Sequence, residues 1–194
     1  MQGIIITRSQ IFFFAFVLLT KIPVQAQTEV LNEVHAIYIE ELRSIIESAK
    51  TWSASYNLRQ KIILNALYMN PQPSIPEEAR KYIVQGMEAF KVAKSHFELS
   101  KAADKFKLAA DLAPWLGIAY LDIAITSIKS AELTEDESKF NLLFSEQEFE
   151  YAIGALELYL LSKPSPEDSA KAKDLIYKAE FRRDRAREKL KNWQ

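Results

Sequence analysis

Few residues in this chain are of a type and spacing that could do chemistry. His35 and His96 are its two histidines, and neither has a second histidine or a carboxylate at metal-ligand spacing. Metal sites need three or four convergent donors, so His96, beside Phe97, reads as a solvated or locally bonded side chain. Glu132, Glu135, Asp136 and Glu137 form an acidic cluster. A calcium loop alternates its oxygen donors around a sharp turn, usually at glycine, and there is no glycine here. The cluster reads instead as a helix start, with Thr134 and Glu137 at capping-box spacing. Glu40/Glu41 and Glu77/Glu78 are sequence neighbours, which diverge by about 100° on a helix and cannot share acid–base work. No G-x-S-x-G, phosphate-cradling glycine loop or Cys/His pair occurs. No catalytic, cofactor-binding or metal-ligating residue is therefore assigned, no cofactor is expected, and an enzyme reading has little to stand on.

Charge narrows the partners. From Lys178 to Gln194, seven basic residues (Lys178, Arg182, Arg183, Arg185, Arg187, Lys189, Lys191) face three acids (Glu180, Asp184, Glu188), a local net of +4. Such a stretch suits an anionic lipid surface or the solvated outer face of a terminal helix. The chain as a whole has 25 Lys+Arg against 26 Asp+Glu, a net charge of −1, which argues against a nucleic-acid binder.

The N-terminus reads MQGIIITRSQIFFFAFVLLTKIPVQAQ. Arg8, the apolar run Ile11 to Leu19 and the V-Q-A site at Val24 to Ala26 have the order of a secretory signal peptide, with cleavage after Ala26. Nine apolar residues are too few to span about 30 Å of hydrocarbon. There is no cysteine, so no disulfide and no lipoprotein acceptor. The expected location is periplasmic or secreted, without a lipid anchor.

The elements that must position any site are helices. Ala, Leu, Ile, Glu and Lys dominate, hydrophobic residues make up 48% of the chain, and only 4 glycines and 7 prolines interrupt it. Leu31, Tyr38, Ile45 and Trp52 recur every seven residues, with Val34, Ile37, Leu42, Ile46 and Ala49 on the same side, which predicts a helix over 30–52. A shorter one follows over 58–69. Prolines in Asn70 to Pro76 mark a linker. Beyond it, helices are expected at 76–96, 99–112, 115–132, 135–162 and 166–191, the fourth with a break near Glu146. Three of their starts carry cap grammar: Ser74 with Glu77, Thr134 with Glu137, and Ser165-Pro166-Glu167-Asp168.

Counting back from Pro114, Ala102, Phe106 and Ala109 lie 12, 8 and 5 residues before it; from Pro164, Phe149, Ala152 and Leu156 lie 15, 12 and 8 before it. Small residues let two antiparallel helices approach, and the aromatic or large residue fills the gap. Tyr82 and Gly86, then Tyr120, Ile123 and Ala124, stand in matching places on the preceding helices. The spacing resembles that of tetratricopeptide (TPR) repeats. The units are elongated: Gly86 to Pro114 spans 28 residues against about 24, and Tyr120 to Pro164 spans 44 against about 28. The surplus falls at AKSHFE and SAELTEDESK. With IPEEARKYIVQG, APWLGIAY, AIGALELYLL and IYKAEFR, the whole chain resembles small exported bacterial TPR proteins, a likeness that implies fold and compartment but no chemistry.

The expected architecture is all-α: a short TPR-like right-handed α-solenoid of antiparallel helix pairs with capping helices at both ends. It divides into a signal peptide (1–26), N-terminal helices (27–70), a linker and helix cap (71–78), two degenerate units (79–164) and a C-terminal capping helix (165–194). In that helix Leu175, Ala179, Ala186, Leu190 and Trp193 form the inner stripe. The resemblance implies a protein-binding adaptor or scaffold of the bacterial envelope, non-catalytic, gripping a protein or peptide partner in a concave face built from first helices. Register places Arg80, Ile83 and Met87 there from the first unit, and Ile118, Leu121, Asp122, Ile125 and Lys129 from the second. Asp122 stands where a carboxylate-gripping TPR clamp would offer Asn, so that clamp is not expected. The alternative function is a peripheral membrane-surface protein that uses the basic C-terminal helix. The apolar N-terminal helix is expected to pack over or beside the repeats and close part of the groove, the rival being a homodimer arm.

Overall fold

The structure, a computed structural model, describes residues 24–48, 52–134 and 138–193, with some side chains of α1, that of His35 among them, and those at the start of α2 excepted. The apolar run Ile11 to Leu19 and residues Glu135, Asp136 and Glu137 lie outside the described residues. The protein is all-helical: α1 Val24–Ser48, α2 Trp52–Tyr68, α3 Glu77–Val92, α4 His96–Leu112, α5 Gly117–Leu133, α6 Lys139–Leu161 and α7 Pro166–Lys191, packed in adjacent pairs. Among the described residues no helix is long and apolar enough to cross a membrane.

Helices α3 to α7 pack each on the next, since connections of a few residues leave consecutive helices no other neighbour. Their common core is built from alanines and a few large side chains. Ala102, Phe106, Ala109 and Ala110 of α4 meet Ala119, Tyr120, Ile123 and Ala124 of α5, and Ala152, Ala155, Leu156 and Leu158 of α6. The small residues allow close approach. Gly86 shows how close: a Cβ there would lie 2.5 Å from the ring of buried Phe106. Pro114 ends one helix pair and is itself fully buried. Its carbonyl accepts a 2.8 Å hydrogen bond from the Tyr120 hydroxyl, which burial keeps protonated by pushing its pKa up to about 12.

The predicted starts fare unevenly. Ser165 accepts from the Asp168 backbone N–H at 3.1 Å, with Pro166 in the first turn. Ser74 and Glu77 form no box: Pro76 occupies the cap position of α3, with no side-chain cap bond. The full capping box is at Ser95 and Glu98, inside AKSHFE, so that stretch starts α4 three residues earlier than expected. Thr134 ends α5, its hydroxyl bonded to the Ser130 and Ala131 carbonyls, and Ser138 caps α6 by accepting from the Asn141 N–H. Helix α6 runs unbroken through Glu146.

The N-terminal hairpin corrects two expectations. Leu31, Val34 and Ile37 are exposed on α1; among its described side chains the buried one is Ile39, against Ile62 and Ala66 of α2 and the partly buried Trp115. The side chains of Ile45 and Trp52 lie outside the described residues. The hairpin does pack beside the helix pairs, but on the side formed by α4 and α6. Tyr56 donates to Glu157 at 2.5 Å, and Ile63 enters the common core. It therefore packs on α4 and α6 rather than on α3 and α5.

Candidate functional site

The hairpin has no comparable packing on α3, α5 or α7. On α3, Arg80 and Met87 are exposed and Ile83 is half-buried; on α5, Ile118 and Ile125 are exposed and Leu121, Asp122 and Lys129 are half-buried. Met87, Ile118 and Ile125 keep 45%, 44% and 38% of their surface. Ile83 and Leu121 rest on the common core from this side. Lys129 joins the two helices, its Nζ 4.5 Å from the centre of the Phe90 ring. Arg80 makes no ion pair among the described residues. The expected groove residues of α5 thus lie along one helix face, and α3 meets that face through Phe90.

Asp122 is the polar centre of the α5 face. Its Oδ2 is buried and has no hydrogen-bond donor among the described residues. Thr126 is near, but its hydroxyl donates to the Asp122 backbone carbonyl at 2.7 Å, not to the carboxylate. Burial pushes the Asp122 pKa up to about 6, because removing water penalises the charged form and no cation offsets it.

The covered side holds a charge treated in the opposite way. Arg59 of α2 is 4% exposed. Its Nε donates to Ser55 Oγ at 3.1 Å, Nη1 to the Ala110 carbonyl at 3.2 Å, and Nη2 pairs with Asp111. Sequence reading missed this centre. The available signal was Ser55, Arg59, Ile62 and Ala66 on one stripe of a short helix, with a cation where apolar residues belong.

A second polar spot was also missed. Ser100, Lys107, Thr126, Ser127, Ser130 and Glu148 line a cavity of about 20 Å³ between α4, α5 and α6, room for about one water molecule. Burial raises the Glu148 pKa, while Ser127 and Lys107 act to lower it.

Three of the seven basic residues of the C-terminal stretch are held in ion pairs. Arg182 pairs with Glu132 at 2.7 Å, Arg183 with Glu150 at 2.9 Å, and Arg187 with Glu146 at 2.6 Å and Glu150 at 3.2 Å. Ala179 and Ala186 of the expected inner stripe are buried, Leu175 and Leu190 are half-buried, and Trp193 is exposed. His96 is exposed, its ring 5.3 Å from that of Phe144. Among the described residues no three His, Cys, Asp or Glu side chains converge to hold a metal ion. No protein-family model, curated protein or solved structure matches the chain.

Proposed function

We propose that this protein is a non-catalytic adaptor of the cell envelope that binds a protein segment along the face of α3 and α5. The observation that carries the reading is apolar exposure on helices where the hairpin has no comparable packing. The α1–α2 hairpin packs on α4 and α6, whereas Met87, Ile118 and Ile125 stay exposed on α3 and α5. Apolar side chains grouped on one face usually meet a partner. A TPR-like reading of α3–α4 and α5–α6 as two elongated units agrees with the close seat of Gly86 on Phe106 and with buried Ala102, Ala109 and Pro114 at their expected places. Action outside the cytoplasm rests on the signal-peptide pattern of residues 1–26.

The membrane-surface alternative has less support, because Arg182, Arg183 and Arg187 are engaged with glutamates of α5 and α6. Co-sedimentation with vesicles of anionic phospholipid tests it directly. For the adaptor reading, the test is chemical crosslinking in the envelope fraction, comparing wild type with a Met87→Lys/Ile118→Lys/Ile125→Lys variant. A crosslinked partner that disappears in the variant, with the helical circular dichroism retained, is the expected result. A partner retained by the variant sinks the reading.

A further inference from the structure

We infer that α1 pairs with the α1 of a second copy of this chain, antiparallel, with Val34 on the two-fold axis. The surface lies apart from the α3–α5 face, and the inference does not rest on the adaptor reading. Val30, Leu31 and Val34 are exposed, and Ile37 keeps 71% of its surface. Tyr38 beside them is half-buried. At about 100° per residue, these five positions fall within one arc of about 120°. Ile39, which α1 buries against Ile62 and Ala66 of α2, lies about 140° round the helix from Val34. The hairpin thus packs by one side of α1 and leaves an apolar stripe on another.

The residue order along the stripe selects its occupant. A two-fold interface needs a patch that complements itself, so that residue i meets j and j meets i. The stripe is symmetric about Val34: Leu31 and Ile37 lie three residues to either side, Val30 and Tyr38 four. In an antiparallel pair Leu31 meets Ile37 of the second copy, Val30 meets Tyr38, and Val34 meets itself.

Charge fixes the direction. The next positions on the same arc are 27 and 41, seven residues to either side of Val34, a glutamine and a glutamate. Antiparallel pairing sets position 27 of one copy beside Glu41 of the other, amide against carboxylate. Parallel pairing would set Glu41 on Glu41, and like charges brought together repel. An anionic lipid surface is a poorer occupant, because the exposed Glu33 and Glu41 bring negative charge to this side. Five side chains from each copy fall well short of the about 20–30 residues a side of a standard interface, so the pair is weak and depends on concentration.

The test uses the chain as purified from the cells that make it. Because the chain has no cysteine, one introduced cysteine reports one position, and a disulfide needs its Cα atoms within about 4.4–6.8 Å. Val34→Cys should give a covalent dimer under copper–phenanthroline oxidation. Glu41→Cys should not, since in the antiparallel pair the two positions 41 lie about 21 Å apart along the axis. Equal yields at both positions mean a parallel pair and overturn the assignment. A Val34→Cys yield no higher than that of the exposed Lys178→Cys overturns it too. The unmodified chain gives an independent reading. In sedimentation its average mass should rise toward twice that of one chain between about 10 µM and 1 mM. Ile37→Lys should stay at the mass of one chain with its helical circular dichroism unchanged, because that side chain already meets water. A monomeric wild type across the range, or an Ile37→Lys variant that dimerises equally, overturns the pairing.

Discussion

Arg59 and Asp122 are both charged residues set among apolar side chains, one on α2 and one on α5. Arg59 is 4% exposed and has three acceptors, on its own helix and on α4. Asp122 is less buried, yet its Oδ2 has no donor among the described residues. Depth alone therefore does not decide whether a charge is satisfied. A satisfied buried charge fixes the register between two elements, here the seating of α2 on α4. An unsatisfied one lowers stability.

Substitution should separate the two sides sharply. The largest effect belongs to the helix contacts beneath both of them. Ala102→Glu and Ala152→Glu each place a carboxylate where exposure is 0%, at several kcal/mol, comparable to a whole domain's stability of about 5–15 kcal/mol. Thermal melts followed by circular dichroism should show both variants unfolded at room temperature, while Lys178→Glu on the exposed side of α7 melts like wild type. Wild-type melting of both alanine variants would mean that α4 and α6 do not touch their neighbours as described.

Next comes the satisfied charge. Asp111→Ala leaves the Arg59 guanidinium buried without its counterion, and urea unfolding should give a loss of about 3–5 kcal/mol. A loss below about 1 kcal/mol would show that the two charges are treated alike, and the contrast between the faces would fail.

Asp122→Asn should act in the other direction, and only over part of the pH range. The folded pKa is about 6, above the ordinary value of 3.8. The unfolded chain therefore releases the proton first, and stability falls as pH rises from about 4 to about 6, then levels. Two units correspond to about 3 kcal/mol, reduced to about 1–2 kcal/mol because the group is partly solvated. The variant lacks this fall, so the difference between wild-type and variant denaturation midpoints should open across that window. Parallel curves from pH 4 to pH 7 would mean that the carboxylate is not strained.

The smallest effect is at the open face. Ile125→Lys should change stability within about 0.5 kcal/mol, because the side chain already meets water. A loss of several kcal/mol would show that this face is part of the core rather than a place for a partner.

Much of this arrangement could be read from residue order. The places of Gly86, Ala102, Phe106, Ala109 and Pro114 were legible because small residues, a ring and a proline leave little choice where two helices touch. The start at Ser165-Pro166 was legible because proline permits a first turn but not a later one. Cap motifs without such a restriction misled. Ser74 and Glu77 have the same spacing as Ser95 and Glu98, and only the point at which the chain reverses selects between them. Long-range seating was not legible at all. Arg59 looks like a surface cation until Asp111, 52 positions further on, is brought to it. Nor did the apolar stripe of α1 reveal which side of the array the hairpin would choose, since α1 buries Ile39 and leaves Leu31, Val34 and Ile37 outside. At the site, sequence register placed Asp122 among the groove candidates. Its missing donor depends on neighbours that register does not supply.

The bond from Tyr56 to Glu157 joins positions 101 apart, and that separation sets a timetable for synthesis. Helices α3 to α7 assemble from neighbours, each able to dock soon after it is made. The α1–α2 hairpin is made first but has its seat on α6, which comes last but one. At about 5–20 residues per second, Ile62 and Ile63 wait on the order of 5–20 s for that surface. During that interval the nascent chain carries an unprotected apolar helix at its leading end, where it is open to capture by other apolar surfaces. Slowing translation between Tyr56 and Glu157 should lengthen this exposure, whereas slowing it after Leu161 should not.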